Sequence, residues 1–148
     1  MMTGEQVRDR AAIQQLLACL AQAGDARKAD DYAACFTEDG VLQLDEAIEG
    51  REAIRQWMAG PAIIPQPGEG RAPSFISHHL TTCRIDFTGD ETASARTYWL
   101  VTSSAGIDHN GYYVDALRKV DGQWLVAHRR PRTLWFAENS LVAGLGSD

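Results

Sequence analysis

Apolar positions in this chain recur at helical spacing over the first third and at strand spacing over the rest. Ile13, Leu16, Leu17 and Leu20 fall on one side of a helix, with Arg8, Asp9, Arg10, Gln14 and Gln15 on much of the polar side, the repeat of an amphipathic helix. Gly24 is read as its stop. A second short helix starts from Asp30 or Asp31 as cap, places Tyr32, Cys35 and Phe36 together, and ends in the turn Glu38-Asp39-Gly40. Val41 to Leu44 reads as a short strand. After Gly50 a third helix carries Ile54, Trp57 and Met58 on one face and halts at Gly60-Pro61, since no helix continues through that proline.

The stretch from Gly60 to Pro73 is rich in proline and glycine yet keeps Ile63 and Ile64. It is read either as a flap over a pocket or as a surface loop that tucks two isoleucines against the body. Sheet is expected from there on. Ser77 to Phe87 makes one strand, Thr88 to Glu91 turns, and Thr92 to Ser103 returns with Thr97, Tyr98, Trp99, Val101 and Thr102 as strand formers. Ala105 to Gly111 is read as a connection. Tyr112 to Val120 and Gln123 to about Arg130 then form a hairpin about Asp121-Gly122, a strong short-range hairpin signal, and Thr133 to Phe136 extends the last strand. Residues 137–148 are expected to be a loosely held tail. Helices first and hairpins afterwards give one α+β domain over residues 1–148, because strands joined by short turns pair antiparallel and leave the helices to cover one face.

Composition narrows the functions open to such a domain. At 148 residues and 45% hydrophobic content the chain can fill one core. A formal net charge of -6 disfavours nucleic acid, so the basic run of His128, Arg129, Arg130 and Arg132 is read as a solvated strand end. Cys19, Cys35 and Cys83 are odd in number and have no C-x-x-C spacing, as suits buried free thiols in a reducing cytoplasm. No apolar run approaches the roughly 18 residues of a membrane span, and no signal-peptide core follows the N-terminus. Nucleotide-cradling glycine motifs are absent, as is G-x-S-x-G, so no cofactor and no serine nucleophile are expected.

Five stretches in their order, RDRAAIQQLL, GDARKADDYAACFTEDGVL, GREAIRQWM, HHLTTCRIDF and GYYVDALRKVDGQWLVAHR, resemble the SnoaL-like branch of the nuclear-transport-factor-two-like superfamily. That superfamily includes scytalone dehydratase, polyketide cyclases and hexachlorocyclohexane dehydrochlorinase. The resemblance implies a cone-shaped α+β barrel, with helices packed on a strongly curved antiparallel sheet around one small-molecule pocket. It also implies a homodimer or homotrimer formed through the sheet. In the family's lyases an aspartate and a histidine work together, and these positions match Asp25 and His78 here. The chain departs from the pattern at Thr82, where asparagine is common, and at Leu20 or Gly24, where several dehydratases place a tyrosine.

The residues themselves add a conflict. Asp25 follows directly on a helix C-terminus, where the macrodipole disfavours a carboxylate by roughly 0.3–1 kcal/mol, so it needs a cation or water, or an imidazole if it faces a pocket; the alternative is a solvated loop residue after Gly24. His78 and His79 are adjacent on a strand and point to opposite faces, which speaks against a two-histidine metal site. Strict alternation groups His79 with Cys83, Ile85 and Phe87; the resemblance favours His78. A β-bulge between Leu80 and Thr82 would reconcile them. His109, beside Asp108 and Asn110, is read as a solvated loop residue. His128 is expected to share a face with Trp124 and Val126 and to reach the cavity or its rim. His79, Trp57, Tyr98 and Tyr113 complete the expected lining. The reading is a cofactor-independent lyase or isomerase, dehydratase- or cyclase-like, with His78 as general base and acid and Asp25 orienting it. The alternative is a non-catalytic binding or accessory subunit of the same fold.

Overall fold

The structure, a computed structural model, describes residues 1–61 and 75–143. Most of the expected flap at 60–73 lies outside the described residues.

The first helix, α1 (Gly4–Asp25), starts at a capping box in which the Thr3 hydroxyl accepts from the Gln6 N–H and the Gln6 side chain accepts from the Thr3 N–H. Its inner face is Ile13, Leu17, Leu20 and Ala23. Gly24 does not stop it. Arg27 instead takes the left-handed position at φ 53°. Arg27 N–H bonds Gly24 O, and Lys28 N–H bonds Ala23 O at 2.9 Å, a Schellman close built without glycine. The Arg27 guanidinium then donates to the Met58 and Gly60 carbonyls, which ties the end of α1 to the end of the third helix. Asp25 is thereby held at a fixed place on the last turn.

The second helix, α2 (Ala29–Ala34), is shorter than expected, because the chain goes extended at Phe36. Strand β1 (Phe36–Gln43) runs straight through Glu38-Asp39-Gly40, with its register shifted between Phe36 and Val41. A Cβ at Gly40 would come within 2.9 Å of the Thr37 carbonyl, so only glycine passes here. Strand β2 (Ala47–Glu49) is a short edge strand that the pattern did not reveal, and α3 (Arg51–Ala59) ends where Gly60-Pro61 dictates. Strands β3 (Ile76–Phe87), β4 (Thr92–Ser103), β5 (Gly106–Val120) and β6 (Gln123–Phe136) follow.

The six strands lie in the order β2-β1-β6-β5-β4-β3. All neighbours are antiparallel except β1 and β6, which are parallel. Helices packed on one sheet give the expected α+β fold, in which the sheet is mixed and open, with β1 and β6 parallel rather than antiparallel throughout. Helices cover its inner face, and the core between them joins Ile13, Leu17, Leu20 and Ile54 to Phe36, Leu42, Ile85, Leu117, Trp124 and Val126. Among the described residues no helix is long and apolar enough to cross a membrane.

Extra residues in the ladders decide which side chains face inward, since each one reverses the alternation beyond it. One lies between Leu80 and Cys83. Another is Asp108, between Ile107 paired with Thr102 and His109 paired with Val101. A third is Ala127, between Val126 paired with Leu117 and His128 paired with Ala116. The last sends Arg129 inward, where it is 3% exposed rather than solvated.

Candidate functional site

The bulge in β3 puts His78 on the inner face together with Leu80, Cys83, Ile85 and Phe87, so the two ends of the strand face the same way. The last turn of α1 meets it there. Asp25 Oδ1 lies 2.6 Å from His78 Nδ1, and Asp25 Oδ2 accepts the His78 backbone N–H at 2.8 Å. Both side chains are about four-fifths buried, His78 24% and Asp25 20% exposed. One carboxylate thus orients both the strand and the ring. Since a carboxylate offers no hydrogen, Nδ1 carries it, and Nε2 is the nitrogen left to exchange a proton. These two bonds also offset the unfavourable place of Asp25 at a helix C-terminus.

A second pair stands on the same face and was missed by the sequence reading. His109 is 7% exposed, Asp108 is 0% exposed, and His109 Nδ1 lies 2.7 Å from Asp108 Oδ1. Trp99 stands edge-on to both imidazoles, its ring 6.0 Å from His78 and 5.3 Å from His109. Phe136 stacks on the His109 ring at 5.4 Å. Burial pushes His109 below its ordinary value, against the hydrogen bond and charge of Asp108, and the nearby His78 pushes it down further. Asp108 is lowered as well, but by its hydrogen bonds rather than by burial. Burial alone would raise its carboxyl, but the Leu141 N–H, the Ser140 hydroxyl, His109 and the Ser103 hydroxyl together bring it down to about 2. Hairpin length was a usable signal: a partner as long as Thr92–Ser103, counted back from Val120, runs to within a residue or two of His109, leaving no room for a loop there.

Beneath this level Tyr113 faces inward, 5.7 Å from Trp99, with the Arg129 guanidinium 3.9 Å over its ring. Arg129 in turn makes a bidentate pair with Asp115 at 2.8 and 2.9 Å, both groups buried. Burial raises the Tyr113 hydroxyl, and raises Tyr32 to about 12, so both remain protonated donors. At Gly111 a Cβ would lie 2.6 Å from the Trp99 ring and 2.0 Å from the Arg132 carbonyl; its absence is what lets the indole lie between the histidines.

The remaining expected lining residues are not on this face. His79 is exposed on the outer side and bonds Thr102 Oγ1 at 3.0 Å. Tyr98 is also outside, 38% exposed, with Arg96 and Tyr112 as neighbours. His128 pairs with the exposed Ala116 on that outer face, because Ala127 reverses the alternation after Val126. Trp57 is 37% exposed on α3, against Tyr32 at 6.3 Å. Two shallow clefts among the described residues lie around Tyr98, away from the Asp25–His78 pair. Among the described residues no three His, Cys, Asp or Glu are gathered to hold a metal.

Comparison with known proteins agrees with this architecture. The model of the SnoaL-like domain matches residues 5–130. No curated protein matches significantly. Among solved structures, the chain is similar to a function-unknown protein from Mycobacterium tuberculosis, solved as an aspartate-to-asparagine variant. Identity is 30%, TM-score 0.73, and the match covers 95% of this chain and 80% of that one. It is also similar to a putative scytalone dehydratase from Novosphingobium aromaticivorans, at 24% identity and TM-score 0.77 over 93% and 91%. A hexachlorocyclohexane dehydrochlorinase, LinA type 2, shares the fold at 16% identity and TM-score 0.73 over 90% of each chain.

Proposed function

The chain belongs to the SnoaL-like domain family, and from that membership and the Asp25–His78 pair we propose a cofactor-independent lyase or isomerase acting on a small, largely apolar ring compound. The observation that carries this reading is the 2.6 Å contact between Asp25 Oδ1 and His78 Nδ1. It leaves Nε2 free to take a proton from carbon and return it to a leaving group or to another carbon. One positioned base of this kind contributes on the order of 10²–10⁴-fold. The substrate would lie on the inner face against Trp99, which supplies a flat apolar wall, with His109 Nε2 and the Tyr113 hydroxyl as the polar groups that orient it.

The names of two similar structures, a putative scytalone dehydratase and a dehydrochlorinase, favour elimination of water or halide over hydrolysis. A test follows directly. Cyclic β-hydroxy ketones, chlorinated cycloalkanes and enolisable ring ketones are incubated with the wild type, Asp25→Asn and His78→Ala, and product, water loss or halide release is measured. The proposal expects turnover of at least one class by the wild type and loss of it in both variants. Turnover that survives both substitutions overturns the dyad. Tight binding of these rings without turnover would establish the accessory, non-catalytic reading instead. Self-association through the outer face belongs to the same proposal, supported by exposed Tyr98, Val114 and Trp135; a monomer mass by light scattering would remove it.

A further inference from the structure

The segment after β6 is held against the body of the protein. Expected to be loose, residues 137–143 are bound to Asp108 at three points. The Ala137 N–H donates to the Asp108 carbonyl at 2.8 Å. The Ser140 hydroxyl lies 2.6 Å from Asp108 Oδ1, and the Leu141 N–H lies 2.9 Å from Oδ2. Ser103 Oγ completes the ring of partners at 2.8 Å from Oδ2.

Ser140 Oγ accepts from the Val142 and Ala143 N–H groups at 3.1 and 3.0 Å, so its single hydrogen is free to go only to Asp108. Ser103 Oγ likewise accepts from the Ala105 N–H at 3.1 Å and gives its hydrogen to Asp108. Every group around the carboxylate other than the imidazole is therefore a donor. A carboxyl so surrounded is ionised, and the atom of His109 that faces it must also be a donor. Nδ1 carries the hydrogen, and Nε2 is left bearing its lone pair or a proton in transit.

We propose that Ser140 and Leu141 are positioning residues for His109: by holding Asp108 ionised and fixed, the C-terminal segment sets the His109 tautomer and orients its Nε2 beside His78 on the inner face. The part of this that concerns chemistry rests on the functional reading above; the tautomer itself does not. The segment touches the imidazole only through Asp108, so Ser140 and Leu141 act at one remove from any substrate.

The other groups facing His109 are few. Asp108 is on its own strand, and His78 from β3 stands across Trp99 with Asp25 behind it. Strand β4 brings Trp99 and Val101, and β6 brings Phe136, none of which titrates. Removing the Ser140 hydroxyl leaves more of the Asp108 charge to the imidazole and opens the pair toward water. Both effects favour the protonated ring, so both raise the His109 midpoint.

The test uses full-length protein and long-range ¹H–¹⁵N correlation of the imidazoles across a pH series, for wild type, Ser140→Ala, Ser140→Thr and a chain ending at Glu138. The wild type is expected to show His109 as the Nδ1–H form. In Ser140→Ala its midpoint should rise by about half a pH unit, with a larger rise in the shortened chain. Ser140→Thr, which keeps the hydroxyl, should restore the wild-type value, and His78 should stay unchanged in all of them. An unchanged His109 tautomer and midpoint in both Ser140→Ala and the shortened chain overturns the proposal. Because no substrate is needed, that failure is distinct from a failure of the lyase reading, which turnover alone reports.

Discussion

Replacing Asp25 by asparagine changes one atom's hydrogen-bonding character, and the consequence can be followed from the two distances. The carboxylate accepts from the His78 backbone N–H at 2.8 Å and from Nδ1 at 2.6 Å. The amide has only one acceptor. The backbone N–H can only donate, so the amide oxygen must stay with it, and the NH₂ group then faces Nδ1. To accept that bond Nδ1 must give up its hydrogen, which moves to Nε2, the nitrogen meant to receive the substrate's proton. Charge-assisted bonds are each worth roughly 1.5–3 kcal/mol against about 1 for neutral ones. Loss of charge at a helix C-terminus returns about 0.3–1 kcal/mol. Over the two bonds the net cost in stability is thus about 2 kcal/mol, less than the chemical effect. A tautomer inverted by this same carboxylate-to-amide change lowers kcat on the order of 10⁴-fold in the serine proteases, and about 10³-fold or more is expected here. Imidazole ¹⁵N shifts read the tautomer, urea denaturation reads the stability, and turnover reads the rate. An Asp25→Asn protein that keeps His78 as the Nδ1–H form, or that turns over like the wild type, would show that Asp25 does not set the tautomer.

Other consequences reach the deeper layers. Asp115→Ala strands the buried Arg129 guanidinium, now paired at 2.8 and 2.9 Å, and should cost about 3–5 kcal/mol by urea denaturation, most of it recovered when Arg129→Met is added; a cost under about 1 kcal/mol would contradict the inward Arg129. Gly111→Ala places a methyl 2.0 Å from the Arg132 carbonyl and should cost at least about 3 kcal/mol with a changed Trp99 emission, since backbone as well as side chain must yield; an unchanged urea midpoint contradicts that close packing. His109 has its folded value below the ordinary one, so the unfolded chain takes up its proton first. Its stabilising contribution is complete above the unfolded value of about 6.5 and declines as pH falls from there toward the folded value. Thermal denaturation between pH 7.5 and 5 should show this slope in the wild type and a weaker one in His109→Gln; equal slopes contradict it.

What could be read in advance follows from how local each signal is. The amphipathic spacing of Ile13, Leu17 and Leu20, the stop at Gly60-Pro61 and the Asp121-Gly122 turn each depend on residues close in sequence, and the structure has them. The left-handed Arg27 does not announce itself, because any residue can take that position when a Schellman pair holds it. The pairing of β1 with β6 joins residues about ninety apart and leaves no trace in period. Bulges are the main reason the site was legible only in part. The one after Leu80 carries His78 inward against strict alternation; the one at Asp108 buries two adjacent polar residues that looked like loop. The extra Ala127 exchanges the expected places of His128 and Arg129, the bulge after Leu80 turns His79 outward as it turns His78 in, and Tyr98 falls outside because β4 carries no extra residue to bring it round beside Trp99. A two-residue period cannot foresee an inserted residue, and every facing beyond it inverts.

The lyase or isomerase reading requires that His78 move a proton to and from carbon. An enolisable ring ketone that binds the protein, incubated in D₂O and followed by mass spectrometry, reports that step alone, without any leaving group. Deuterium is expected at the carbon next to the carbonyl with the wild type, and in Asp25→Asn and His78→Ala only the rate seen without protein. Incorporation at the wild-type rate in folded His78→Ala would contradict it.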